Sequence, residues 1–224
     1  MRRYLIPLIF GLGGFAVLVS LGIWQLQRLA WKEAILADID ARITASPVAV
    51  PAAPDATEDR YLPVTAKGDL LGTPLRVLVS TKERGAGYRL VTRFVLEDGR
   101  QVMVDEGFVE LEENAAPGDA EGVTVAGNLH WPEEVDSWTP EPDLSGGLFY
   151  ARDVATMAGA LGTEPVLIVA RTVTGTDPRA TPMPVTSTGV PNNHLGYAVQ
   201  WFGLAAVWLG MTAFLLWRIR KRTV

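Results

Sequence analysis

Two stretches of this chain run for more than twenty positions without a charged residue, Tyr4 to Gln27 and Leu195 to Trp217. As helices rising about 1.5 Å per residue, either one spans a hydrocarbon core of about 30 Å. The first closes in Trp24-Gln25-Leu26-Gln27-Arg28, an interfacial aromatic followed by polar residues. Its apolar run is too long for the core of a secretory signal, and no small-x-small cleavage site ends it, so it reads as a retained anchor. It also starts too soon to leave room for a mitochondrial transit peptide, which favours a bacterial inner membrane. The expected fold class is a membrane protein: two transmembrane α-helices flanking an external, mostly antiparallel β (α+β) domain.

Charge sets the expected topology. Arg2 and Arg3 precede the first span, and Arg218, Arg220, Lys221 and Arg222 follow the second. All 25 acidic residues lie between the spans, against 14 basic ones, so the middle carries about −11 by formal count. The positive-inside rule then puts both termini in the cytoplasm and the acidic middle in the periplasm. An acidic external domain argues against nucleic acid as a partner. The chain has no cysteine, which excludes disulfides, iron–sulfur clusters and thiolate metal sites. With two histidines and five methionines it is also poorly equipped to carry copper.

The expected organisation is a transmembrane helix over 4–27, a juxtamembrane helix over 28–44, an external β-rich domain over 45–190, a second transmembrane helix over 194–217 and a basic cytoplasmic tail over 218–224. Gly11, Gly14, Leu18, Gly22 and Gln25 share one face of the first span, and Gly196, Gly203 and Gly210 recur every seven residues in the second. Small residues so spaced let membrane helices approach closely, so the spans are expected to pack together. In the external domain, Tyr61–Leu71 and Leu75–Thr81 read as strands separated by Gly72-Thr73-Pro74. Tyr88–Leu96 and Gln101–Val109 flank Asp98-Gly99, a strong hairpin signal. Glu112–Glu121 reads as an acidic loop. Val123–Leu129 and Leu148–Arg152 read as strands. A short helix runs from the N-cap Asp153 to Leu161, closed by Gly162. Pro165–Val173, with a continuous Val-Leu-Ile-Val-Ala run, reads as a buried strand. Thr174–Pro191 reads as a strap back to the membrane.

The second span opens on Asn192-Asn193-His194, after a Pro that cannot sit within a helix. On that helix His194, Ala198, Trp201 and Ala205 share a face, with Tyr197 beside them. If the spans pack, Trp24, Gln25 and Arg28 come near His194. A neutral imidazole can be an axial ligand to haem iron; the plain alternative is an interfacial residue at a helix end. Arg28 and Lys32 can meet an anionic ligand, or snorkel to headgroups and pair with Glu33 or Asp38. Trp24, Tyr197 and Trp201 can stack on a flat ring or form an aromatic belt. His130 reads as a solvated loop histidine. The adjacent carboxylates Asp105-Glu106, Glu112-Glu113 and Glu133-Glu134 read as solvated charge, because neighbours on a strand point to opposite faces. Neither histidine sits in a nucleophile context and no phosphate loop occurs, so an enzyme is not expected.

Two stretches resemble the surfeit locus protein 1 family: Leu21-Gly22-Ile23-Trp24-Gln25-Leu26-Gln27-Arg28 with Trp31-Lys32, and Asn192-Asn193-His194-Leu195-Gly196-Tyr197-Ala198 with Trp201-Phe202. Between them Gly87-Tyr88, Asp98-Gly99, Val104-Asp105, Gly107-Phe108-Val109 and Tyr150-Ala151-Arg152-Asp153 fall where that family has similar elements. The resemblance implies a two-span assembly factor for haem-copper terminal oxidases, which binds haem a and helps insert it into the oxidase core subunit. It implies His194 as the iron ligand, with Trp24, Gln25, Arg28, Tyr197 and Trp201 shaping the site. The core subunit, haem a synthase and the lipid bilayer are the implied partners. The alternative is a haem-independent scaffold for an oxidase subunit. Where the family usually has Arg-Gly, and a Pro after the aromatic-Val pair, this chain has Glu106-Gly107 and Glu110.

Overall fold

The computed structural model describes residues 2–111, 118–188 and 191–221. It divides into two compact units: residues 1–38 with 187–224, and Ile39–Thr186.

The first unit is built on two long helices. Helix α1 (Arg2–Ile43) carries the first apolar window and the juxtamembrane segment as one unbroken helix, whose last turns belong to the second unit. Helix α3 (His194–Lys221) carries the second window. Only 11% and 6% of these windows are buried, so neither is the core helix of a soluble fold. Their outer faces expose Phe10, Val17, Val207 and Phe214, among others. Apolar surface of that extent is covered by lipid, and the chain is a membrane protein.

The two helices pack through the glycines of α1. Gly14 faces the Trp208 ring and Gly22 the Phe202 ring, so closely that an added methyl would lie 2.5 Å and 2.6 Å from them. Gly11 meets Thr212, and its carbonyl accepts a hydrogen bond from Trp208 Nε1 at 3.0 Å. The buried positions of α3 are Ala198 and Ala205, on the face that also carries His194 and Trp201. Gly196, Gly203 and Gly210 face open space, which corrects the expectation that the glycines of α3 make the contact. Here glycine on one helix leaves room for aromatic rings from the other.

The second unit is a closed barrel. Its strands are β1 (Pro63–Thr81), β2 (Gly85–Leu96), β3 (Gln101–Glu110), β4 (Ala120–Leu129), β5 (Leu148–Phe149) and β6 (Leu167–Thr174), with helix α2 (Val154–Leu161) before the last. The sheet order is β2-β3-β6-β4-β1-β5, and β2 also pairs with β1, so five strands close on themselves and β5 adds to β1. Only β3–β6 and β1–β5 are parallel. The two segments expected on either side of Gly72-Thr73-Pro74 are one strand. Gly72 has φ +81° and the register with β2 shifts between Leu71 and Leu75, yet pairing resumes at Leu75↔Val91. The Gly/Pro signal marks a bulge rather than a turn.

Alternation along the strands separates two cores. Leu70, Phe94, Val102, Val104, Val125 and Ile168 belong to one, drawn from all five barrel strands. Met103, Leu167 and Val169 point the other way, against Val154 and Met157 of α2 and Phe149 of β5. The apolar run at Leu167–Ala170 is buried on both faces for this reason. Helix α2 begins and ends as expected. The Asp153 carboxylate accepts from the backbone N–H of Ala155 and Thr156, and Gly162 closes it in the left-handed region.

Candidate functional site

In the membrane unit, Pro191 and Asn193 set the start of α3, and the Asn193 carbonyl accepts from the Tyr197 N–H at 3.2 Å. This leaves His194 as the first helical residue, half-buried. Gln25 of α1 lies opposite, only 8% exposed despite its amide. His194 Nδ1 and Gln25 Oε1 are 2.8 Å apart. An amide oxygen can only accept, so Nδ1 is the donor, and in the neutral ring Nε2 is then the nitrogen with the lone pair. Nε2 has no partner among the described residues. A ring held by one nitrogen with the other available is the arrangement of a metal-ligating histidine, whose second nitrogen donates to an oriented acceptor.

The other expected residues divide. Trp201 is half-buried, whereas Trp24 and Tyr197 are about half exposed, at 50% and 51%. Arg28 is exposed and its guanidinium lies 4.3 Å over the Trp31 ring, a cation–π contact that holds the charge beside an indole. Lys32 donates to the carbonyl of Pro191, two residues before Asn193. Sequence reasoning passed over Trp31 and this carbonyl as contacts, although Trp31-Lys32 stands within the quoted motif. The side-chain oxygen of Asn192 is buried without a hydrogen-bond partner among the described residues. No group of three His, Cys, Asp or Glu side chains that could share a metal ion occurs among the described residues.

The barrel domain buries its polar groups differently. Asp105 is fully buried and accepts from Arg89 Nη1 and, at 3.2 Å, from Arg152 Nη1. Arg152 turns its other nitrogens to Glu134, and Arg89 Nη2 reaches the Met183 carbonyl at 3.3 Å. Glu106, 2% exposed, accepts from Thr92 Oγ1 and from Arg179 Nη2 at 3.1 Å; Arg179 Nε stands 2.8 Å from its other oxygen without an aligned hydrogen bond. Burial raises the Glu106 carboxyl above its ordinary value, against the lowering pull of Thr92 and Arg179. These two carboxylates were expected to be solvated. They are buried because Arg89, Arg152 and Arg179 supply charge from distant stretches of chain. Glu133 stays solvent-exposed in a pair with Arg60 at 2.7 Å, and Glu112-Glu113 lie outside the described residues.

His130 is likewise no solvated loop residue. It follows β4, stacks on Tyr61 with ring centroids 5.3 Å apart, and its Nδ1 is buried without a hydrogen-bond partner among the described residues. Burial, helped by the nearby Arg152 and Arg60 charges, pushes it down to about 4. It lines a small polar recess of about 210 Å³ with Arg89, Arg152 and Met183. The two histidines therefore differ in kind: one is kept neutral inside a cationic surround, the other is oriented by an amide.

A model of the SURF1 family matches residues 12–206 of the chain. Surfeit locus protein 1 from Homo sapiens is 30% identical over 207 residues, covering 82% of this chain and 68% of that protein. The SURF1-like protein of Drosophila melanogaster is 30% identical over 220 residues, covering 85% and 73%. The cytochrome oxidase assembly protein SHY1 of Saccharomyces cerevisiae is 29% identical over 163 residues, covering 65% and 41%.

Proposed function

The chain belongs to the SURF1 family, and from that premise we propose that it is a non-enzymatic assembly factor for a haem-copper terminal oxidase, with haem a as its cargo. The name of the yeast relative supports the oxidase as client. The Gln25–His194 pair carries the haem reading. A buried amide fixes the imidazole and leaves Nε2 as a nitrogen donor at the end of an apolar helix. When bound, the haem supplies an iron centre for Nε2 and carboxylates for cations such as Arg28. Trp201, Tyr197 and Trp24 offer ring faces beside it. A single imidazole suits a carrier, because cargo held too tightly is not passed on. The core subunit is the proposed recipient and haem a synthase the proposed donor. The positive-inside rule puts the barrel domain on the non-cytoplasmic side of the membrane.

The test is an optical spectrum. The protein is co-expressed with a haem a synthesis pathway, purified in mild detergent, and compared with His194→Ala. A haem a band in the wild type that the variant loses or shifts is the expected result. Wild type that emerges clean while still binding an oxidase subunit overturns the haem reading. One observation favours a second reading, a haem-independent scaffold: the Gln25–His194 bond already joins α1 to α3 with nothing added.

A further inference from the structure

The barrel domain displays one tryptophan almost wholly to solvent. Trp138 is 88% exposed, and Val135 and Leu144 of the same loop are 57% and 61% exposed. An indole costs more to leave in water than most side chains, and the same loop shows how one is ordinarily satisfied. Trp131, seven residues earlier, packs against both cores and donates its indole N–H to the Pro165 carbonyl at 2.8 Å. The Trp138 indole has no hydrogen-bond partner among the described residues.

The loop is nonetheless built. The Trp138 backbone N–H donates to Asp136 Oδ1 at 2.8 Å, and the Asp136 N–H donates to Thr139 Oγ1 at 2.9 Å, closing a tight turn with the indole at its tip. One end of the loop is tied by Arg152 to Glu134. At the other, Asp143 and Leu148 exchange backbone hydrogen bonds at 2.9 Å and 3.0 Å just before β5 joins the sheet. A side chain presented on a braced turn loses little freedom when it is captured.

The charge along the loop's own sequence is of one sign. From Trp131 to Ala151 there is no Lys, Arg or His, while residues 133–143 hold five carboxylates. Glu133 and Glu134 are answered by Arg60 and Arg152. Asp136, Glu141 and Asp143 are exposed and have no cationic partner among the described residues. Three uncompensated carboxylates beside an indole disfavour burial in a lipid interface, above all an anionic one. They favour a protein pocket with an apolar floor and a basic rim.

We infer that the 133–145 loop is a docking element, with Trp138 as its anchor, for a Lys/Arg-rimmed apolar pocket on a subunit of the oxidase; the identity of that partner rests on the function proposed above. The test uses the full-length protein in its own membrane, with a photo-crosslinking residue at position 138 and, separately, at 207, on the exposed apolar face of α3, as a control. In parallel, wild type and Trp138→Ser are compared for restoring oxidase content to cells that lack the protein. The expected result is an adduct between position 138 and an oxidase subunit, reduced about tenfold by Glu141→Lys and by raised ionic strength. Trp138→Ser then restores oxidase poorly while accumulating normally. A lipid adduct or none at 138, with Trp138→Ser restoring oxidase fully, overturns the docking element and leaves the oxidase function standing. Oxidase content that does not depend on the protein at all overturns the oxidase as client, and with it as occupant of this surface.

Discussion

The membrane unit and the barrel domain bury polarity for opposite ends. In the barrel, Asp105, Glu106, Arg89 and Arg152 are enclosed and each charge faces a counter-charge. In the membrane unit the buried amide of Gln25 is matched to one nitrogen of His194 and the other nitrogen is left over. Paired charges of this kind help specify a fold, whereas an imidazole with one nitrogen spare is available to a ligand. Burial of a polar side chain thus does not mark a site.

The contrast can be broken first at Arg152. Replacing it with Ala leaves the buried Asp105 with Arg89 alone and Glu134 unpaired at the surface, which is expected to cost about 3 kcal/mol, most of it at Asp105. Chemical denaturation of the detergent-solubilised protein, followed by tryptophan fluorescence, reads the loss; a barrel as stable as wild type would show the network to be dispensable. Next comes the helix pair. Gly14→Leu drives a side chain into the Trp208 ring and should cost about 1–3 kcal/mol of packing, whereas Gly203→Leu, facing open space, should cost little. Equal effects in a thermal-shift comparison would sink the assigned interface.

Acid should then act on His130. His130 is held down near 4, below its ordinary 6.5, so the unfolded chain binds the proton more readily. The stability it contributes is complete above 6.5 and is lost as pH falls through that window towards 4. The loss is about 2 kcal/mol after discounting for solvent screening. Glu106, whose value is raised by burial, opposes this: its contribution is complete at low pH and lost as pH rises through its folded value. His130→Phe, which keeps the stack on Tyr61, should flatten the slope between pH 6.5 and 4. An unchanged slope would assign the acid sensitivity elsewhere. The smallest stability effect is expected at Gln25. Gln25→Leu removes one hydrogen bond, about 1 kcal/mol or less, yet on the haem reading proposed above it should weaken haem retention roughly 10–100-fold, since the ring loses its orienting acceptor. Haem retention equal to wild type would detach Gln25 from binding.

What the sequence disclosed follows the range of the physics. The apolar windows, the Asp98-Gly99 hairpin, the Asp153 cap with Gly162, and the buried run in β6 rest on neighbours a few residues apart, and the structure has them all. The nearness of Gln25 to His194 followed from both lying at the outer ends of two spans that pack together. Barrel closure was out of reach, because it depends on β1 finding β4 and β3 finding β6 across long separations. The same distance hid the buried carboxylates: nothing near Asp105-Glu106 announces that Arg152 and Arg179 will meet them. In α3 the even spacing of Gly196, Gly203 and Gly210 misled, because periodicity names a face without saying which helix face supplies the room and which the bulk.

Closure of the barrel has one more effect. The first half of β1 is paired by β4 and its second half by β2 and β5, while Thr181 of the returning strap bridges Phe108 on β3. A sheet joined in this way offers little open hydrogen-bonding edge onto which another extended chain could add itself. In the assembly role proposed above, beside membrane subunits whose strands and loops are not yet settled, such a protein is protected from being drawn into their aggregation. Its dealings with them would then be left to side chains and loop tips, where contacts can be made and released.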